Sequence, residues 1–95
     1  MTGEPTVRDL PERNRWEIEL DGERVGLLNY RIDGEVIAYL HAEVDPAHGG
    51  RGLGSALART ALDDARARGL RIRPRCPFVV DFVARHEAEY GDLVA

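Results

Sequence analysis

Between residues 16 and 44 apolar side chains alternate with polar ones, and two Asp-Gly pairs interrupt the alternation. Trp16, Ile18 and Leu20 alternate with charged residues and run into Asp21-Gly22, a tight-turn signal. The next stretch, Arg24 to Ile32, sets Val25 and Leu27 on one face and Leu28, Tyr30 and Ile32 on the other, and meets Asp33-Gly34. From Glu35 to Val44 the alternation resumes. There Val36, Ala38, Leu40, Ala42 and Val44 are expected on one face, with Ile37, Tyr39, His41 and Glu43 opposite. Three strands joined by two tight turns predict an antiparallel meander, with a weaker strand at Val7 to Leu10.

Beyond residue 52 the period lengthens. Leu53, Leu57, Ala61 and Ala65 recur every four residues, with Ala58 and Leu62 widening the stripe, which predicts a helix ending near Arg68. Gly69 suits a left-handed cap, and Leu70 to Arg75 reads as a short strand. The helical crossover is long enough to make that strand parallel to the third, so the unit is βαβ. Pro74 lacks a backbone donor and requires an edge or a gap beside this strand. Pro77 suits the first turn of a second helix that runs to about His86, with Cys76 as its N-cap. Glu87 to Ala95 has no clear period. The predicted architecture is α/β, a mainly antiparallel mixed sheet of about five or six strands. Residues 1–5 are expected as a flexible N-terminus and 6–95 as one domain.

Composition narrows the class. At 95 residues, 43% hydrophobic and 32% charged, the chain has the profile of a globular domain near the low end for a single core. No apolar run reaches membrane-span length, and one cysteine is too few for a disulfide framework, so a cytoplasmic protein is expected. A net charge of −4 argues against nucleic-acid binding. Yet residues 51–75 hold seven arginines against Asp63 and Asp64, a net +5 that leaves −9 for the remainder. Most of these arginines read as a solvated helix face; one or two suffice to reach a phosphate.

The densest chemical signal is Val44-Asp45-Pro46-Ala47-His48-Gly49-Gly50-Arg51-Gly52-Leu53-Gly54-Ser55, a glycine turn between a strand and a helix. Its glycines allow close backbone approach, and the unpaired N–H groups of the helix's first turn point the same way, so an anion is the expected partner. The turn lacks the Gly-Lys-Ser/Thr ending of a nucleotide-triphosphate loop. Ser55 stands where a dinucleotide fold requires its third glycine. A coenzyme A pyrophosphate site remains. Cys76, beside Arg75 and at a helix N-terminus, reads equally as an activated nucleophile and as a small buried hydrophobe. His41 and Glu43 read as a proton-handling pair or as solvated residues of a half-exposed face, and His48 as a phosphate contact or a solvated loop residue. No group of His, Cys, Asp and Glu has metal-ligand spacing, so no metal is expected.

Three segments carry a family resemblance: His41-Ala42-Glu43-Val44, then Gly50-Arg51-Gly52-Leu53-Gly54, then Arg75-Cys76-Pro77-Phe78-Val79 with His86. Together they resemble the minimal single-domain members of the GNAT superfamily of acetyl-CoA-dependent N-acetyltransferases, over roughly residues 6 to 94. The resemblance implies acetyl-CoA as cofactor, with the pyrophosphate on backbone N–H groups of Gly49, Gly50, Arg51, Gly52, Leu53, Gly54 and Ser55 and the pantetheine arm along the strand ending at Val44. It implies Glu43 as the base, with His41 second, and Cys76 as a proposed acetyl-carrying nucleophile. The acceptor is a small-molecule or protein amine, with no nucleic acid or membrane partner and a monomer or weak homodimer expected. A non-catalytic module binding coenzyme A or an acyl derivative is the alternative. Gly49 departs from the superfamily pattern, which has Arg or Gln there, and the helical pair that walls the acceptor site is missing.

Overall fold

The computed structural model describes residues 4–48 and 52–95. Five strands, β1 (Thr6–Leu10), β2 (Arg15–Leu20), β3 (Glu23–Asp33), β4 (Val36–Val44) and β5 (Arg71–Pro74), form one sheet in sequence order. The first four are antiparallel neighbours, and β5 runs parallel to β4 from Val36↔Arg71 to Tyr39↔Pro74. Helix α1 (Leu53–Ala67) makes the crossover, followed after β5 by α2 (Pro77–Arg85) and the single turn α3 (Glu87–Tyr90). The meander, the βαβ unit and the second helix therefore form as the periodicity predicts. The first turn is Asp21-Gly22 as expected, with both residues at positive φ. The second slips by one, because Asp33 pairs with Val36 and leaves Gly34-Glu35 as the loop.

The core occupies one side of the sheet. Trp16, Ile18, Leu20, Leu28, Tyr30, Ile37, Tyr39 and Ile72 pack against the predicted α1 stripe, where Leu57, Ala58, Ala61, Leu62 and Ala65 are each 1% exposed. Tyr39 is fully buried, and its hydroxyl donates to the Ala61 carbonyl at 3.1 Å, tying β4 to the helix. Burial raises the Tyr39 and Tyr30 pKa values well above the ordinary phenol, so both hydroxyls remain donors.

The residues without clear period are held from α1. Arg59 pairs with Glu89 at 2.8 Å, Arg66 with Asp92 at 3.0 Å, and the Tyr90 hydroxyl donates to Asp63 at 2.7 Å. The Ala95 N–H then donates to the Ile72 carbonyl at 2.8 Å, and Val94 bridges to Ile72.

Strict alternation fails on two strands: on β3 a bulge opposite Ile18 and Glu19 puts Val25 into the core with Leu28 and Tyr30, apart from Leu27, and on β4 the failure shapes the site. Strict alternation puts Ile37, Tyr39, His41 and Glu43 on one face. In the structure Ile37 and Tyr39 are buried, while His41 and Glu43 are exposed on the other side of the sheet and Ala42 and Val44 pack partly against the core. The cause is a β-bulge: Asn29 pairs with His41 but Tyr30 with Tyr39, which leaves Leu40 as an extra residue in β4. One inserted residue exchanges every face beyond it.

Candidate functional site

Past the bulge, β4 loses its second neighbour. β5 ends at Pro74, and the N–H groups of Arg75 and Cys76 both donate to the Tyr39 carbonyl at 3.0 Å before the chain turns into α2. From Leu40 to Val44, β4 is paired only with β3 among the described residues. The edge or gap required by Pro74 is thus a divergence of β4 and β5 starting at the bulge.

A cleft of about 350 Å³ opens beside this segment, on the helical side. Ala42, Glu43 and Val44 form one wall, Gly52 to Ser55 with Leu57 another, and Phe78 and His48 close it. The first residues of α1 bring their backbone here. Gly52, the N-cap, is left-handed at φ +71, where a side chain would be strained, and makes no side-chain cap. The first intrahelical donor is Ala56, whose N–H reaches the Gly52 carbonyl at 3.0 Å, so the N–H groups of Leu53, Gly54 and Ser55 have no intrahelical acceptor. Three donors at the positive end of a 15-residue helix border a mostly apolar cavity that Glu43 and His48 also line.

Gly54 has a different reason to be glycine. A Cβ there would lie 2.8 Å from Phe78 Cζ, so the missing side chain makes room for the α2 ring at the mouth of the cleft. Phe78 went unnoticed in the sequence, although it follows Cys76-Pro77 directly and falls in the first turn of α2. Leu57 and Ala42 are also cleft residues that read only as core or strand positions. His48 has more of a place than a loop histidine suggests. It ends the 3-10 turn Pro46–His48 and lines the cleft, and its Nδ1 is buried without a hydrogen bond among the described residues, 3.7 Å from Asp45 Oδ2.

The other expected site residues fall in three places. Val44, Gly52, Leu53, Gly54 and Ser55 meet in the cleft. Gly49, Gly50 and Arg51 lie outside the described residues. His41 Nε2 and Glu43 Oε2 are 2.7 Å apart on the exposed face past the bulge, and Glu43 also lines the cleft. Cys76 is the extended residue before α2, as expected for an N-cap, but its side chain makes no cap bond. It is 3% exposed within the core cluster and does not line the cleft. Among the described residues no three His, Cys, Asp or Glu side chains come together to hold a metal ion, and no helix is long and apolar enough to cross a membrane.

A mixed sheet whose parallel pair parts beside a helix N-terminus defines an α/β protein that can hold an elongated ligand with an anionic end. The chain belongs to the GCN5-related N-acetyl-transferase family, whose model matches residues 15–93. No protein of curated function matches it. Among solved structures, a GCN5-like protein from Staphylococcus aureus superposes with a TM-score of 0.70 at 24% identity, over 95% of this chain and 87% of that one. Rv2747 of Mycobacterium tuberculosis, solved in complex with CoA, gives 0.64 at 30% identity over 82% and 51%. The ribosomal-protein-S18-alanine N-acetyltransferase of Escherichia coli gives 0.61 at 20% identity over 63% and 39%. The chain therefore spans about half or less of the two larger proteins and most of the small one.

Proposed function

We propose that this protein binds acetyl-CoA and transfers its acetyl group directly to the primary amine of a small-molecule or protein acceptor. The observation that carries the reading is the cleft between the half of β4 that has parted from β5 and the three N–H groups of α1 that lack an intrahelical acceptor. The two parts suit the two ends of the cofactor. N–H groups of Leu53, Gly54 and Ser55 face the pyrophosphate, and Ala42, Val44, Leu57 and Phe78 enclose the arm. Because Gly49 stands where the superfamily has an Arg or Gln side chain, binding rests on these backbone donors, on Arg51 and on His48. Bound acetyl-CoA supplies an activated thioester carbonyl; the amine's lone pair forms the C–N bond as the C–S bond breaks, and the departing thiolate takes up the proton that the new amide nitrogen sheds.

The chain then has one proton to manage. Glu43 is the residue common to the cleft and the exposed face, and His41 Nε2 holds one of its carboxylate oxygens at 2.7 Å. The other oxygen takes the proton of the incoming ammonium, with His41 as the positioning residue. Burial of Cys76 in the core supports direct transfer over an acetyl-cysteine.

Calorimetry with acetyl-CoA on folded protein, followed by thioester consumption across a panel of amines, tests the reading. Absence of binding heat would end it, and binding without consumption under every amine would leave a coenzyme A-binding module. Mass analysis of Cys76 after incubation with acetyl-CoA decides the route: an acetylated thiol overturns direct transfer, and Cys76→Ala is expected to keep its turnover.

A further inference from the structure

The arginines of the basic stretch have two different fates. Those on α1 and at its C-cap are ion-paired, Arg59 with Glu89, Arg66 with Asp92 and Arg68 with Asp64. Arg73 and Arg75, at and just past the end of β5, have no ion pair or side-chain hydrogen bond among the described residues, and neither has Arg31 on β3. The sheet register brings these three together. Arg31 stands opposite Ala38, and Ala38 beside Arg73, so one cross-strand row reads Arg31, Ala38, Arg73. The adjacent row, Ile32, Ile37, Ile72, has its last two side chains buried beneath the helices, so the arginine row lies on the opposite, uncovered face.

Two strand spacings separate Arg31 from Arg73, about 10 Å, with only the Ala38 methyl between them. A groove of about 330 Å³ runs there, floored by Val36, Ala38 and the bulged Leu40, and Asp33 is the one acid in its lining. Three like charges around a half-apolar groove repel one another, and an anion laid among them relieves that repulsion. Arg73 and Arg75 stand two residues apart in extended chain, about 7 Å, which is also the spacing of alternate side chains in an extended peptide lying beside them. The apolar floor suits peptide side chains and methylenes better than a sugar-phosphate backbone. The Leu40 and Arg75 end of the groove is the point where β4 and β5 part, one residue from His41.

We infer that this groove binds a carboxylate-rich, extended peptide, its acidic side chains held by Arg31, Arg73 and Arg75 in charge-assisted hydrogen bonds. Resting on the acetyl-transfer reading above, the groove makes the acceptor an acidic protein segment. It approaches from the uncovered face while the cofactor lies on the helical side, and the two meet at the bulge.

The test is fluorescence anisotropy with a C-terminally labelled octapeptide bearing four glutamates and a free amino terminus, beside its glutamine counterpart. The glutamate peptide is expected to bind at least about tenfold more tightly, with the advantage shrinking as salt is raised. Arg31→Glu/Arg73→Glu is expected to abolish that advantage while acetyl-CoA binds with unchanged heat, and Arg31→Gln/Arg73→Gln gives the same comparison if the reversal does not fold. Equal binding of the two peptides, undiminished binding by the double variants, or tighter binding of a single-stranded oligothymidylate than of the glutamate peptide would each overturn the inference, the last assigning the groove to phosphate. The two readings fail separately: peptide binding without acetyl-CoA heat removes acetyl transfer and keeps the groove, and the converse removes the groove alone.

Discussion

The two halves of β4 have opposite duties. From Val36 to Tyr39 the strand is paired on both sides, by β3 and β5, and sends Ile37 and Tyr39 into the core at 2% and 0% exposure. From Leu40 to Val44 it is paired by β3 alone, and its inward residues Ala42 and Val44 line a cleft instead of filling a core. The sequence pattern barely changes between them. The difference comes from one extra residue and one proline: Leu40 reverses the faces, and Pro74 ends the strand that would otherwise have continued the pairing. A strand can thus be scaffold and cleft wall in succession, with the change made where it costs only a short run of backbone hydrogen bonds.

Substitutions should separate the halves. Tyr39→Ala, in the closed half, is expected to cost about 3 to 5 kcal/mol by denaturant unfolding, a large share of the stability of a domain this size. Tyr39→Phe, which removes only the hydroxyl bond to Ala61, is expected to cost about 1 kcal/mol. In the open half Glu43→Gln is expected to leave the unfolding midpoint unchanged within about 0.5 kcal/mol while lowering turnover about a hundredfold or more. An unaltered pH-rate profile in that variant would remove Glu43 as the base. If Glu43→Gln unfolded the protein as Tyr39→Ala does, the division between the halves would be wrong.

Two smaller effects sharpen the boundary. Gly54→Ala places a Cβ 2.8 Å from the Phe78 ring, so the ring must shift at the mouth of the cleft. The gain of about 1 kcal/mol from alanine in a helix offsets the strain, so stability should hold while the acetyl-CoA affinity falls by about five- to tenfold in titration calorimetry. Arg66→Ala acts far from the cleft, on the segment behind α1. The hydrogen bond from Arg66 holds the Asp92 carboxyl below its ordinary range, so this contribution is present above the unfolded-state value of about pH 4 and disappears as the pH falls through the lowered one. The melting temperature of the variant should therefore lie modestly below the parent's at pH 7, with the gap closing in acid. Arg66 also donates to the Glu89 carbonyl, a bond that does not titrate, so part of the gap is expected to remain in acid; a gap that did not narrow at all would show that the Asp92 pair does not contribute to it.

The sequence made the meander, α1 and its stripe, Gly69 at φ +71 and the parallel β5 legible, because each rests on local periodicity or on a residue with one strong conformational preference. It also pointed to the donor end of α1 as a candidate anion site and to Cys76 as the residue before α2. It could not show that Cys76 is buried, or that Phe78, Leu57 and His48 share a cleft with Glu43, since those residues come from four separate segments. The basic stretch was visible as a count of charges. Which arginines were already paired depended on where Glu89 and Asp92 come to rest, some 25 to 30 residues away in the chain.

What the chain determined by itself was the order and kind of its elements, set by interactions within a few residues. Only the tertiary structure decided the facing of β4 beyond Leu40, because a bulge is a property of the pairing between two strands and leaves no period of its own. From that one register shift follow the exposed His41–Glu43 pair, the apolar cleft on the opposite side, and the meeting of the two at the point where β5 turns away.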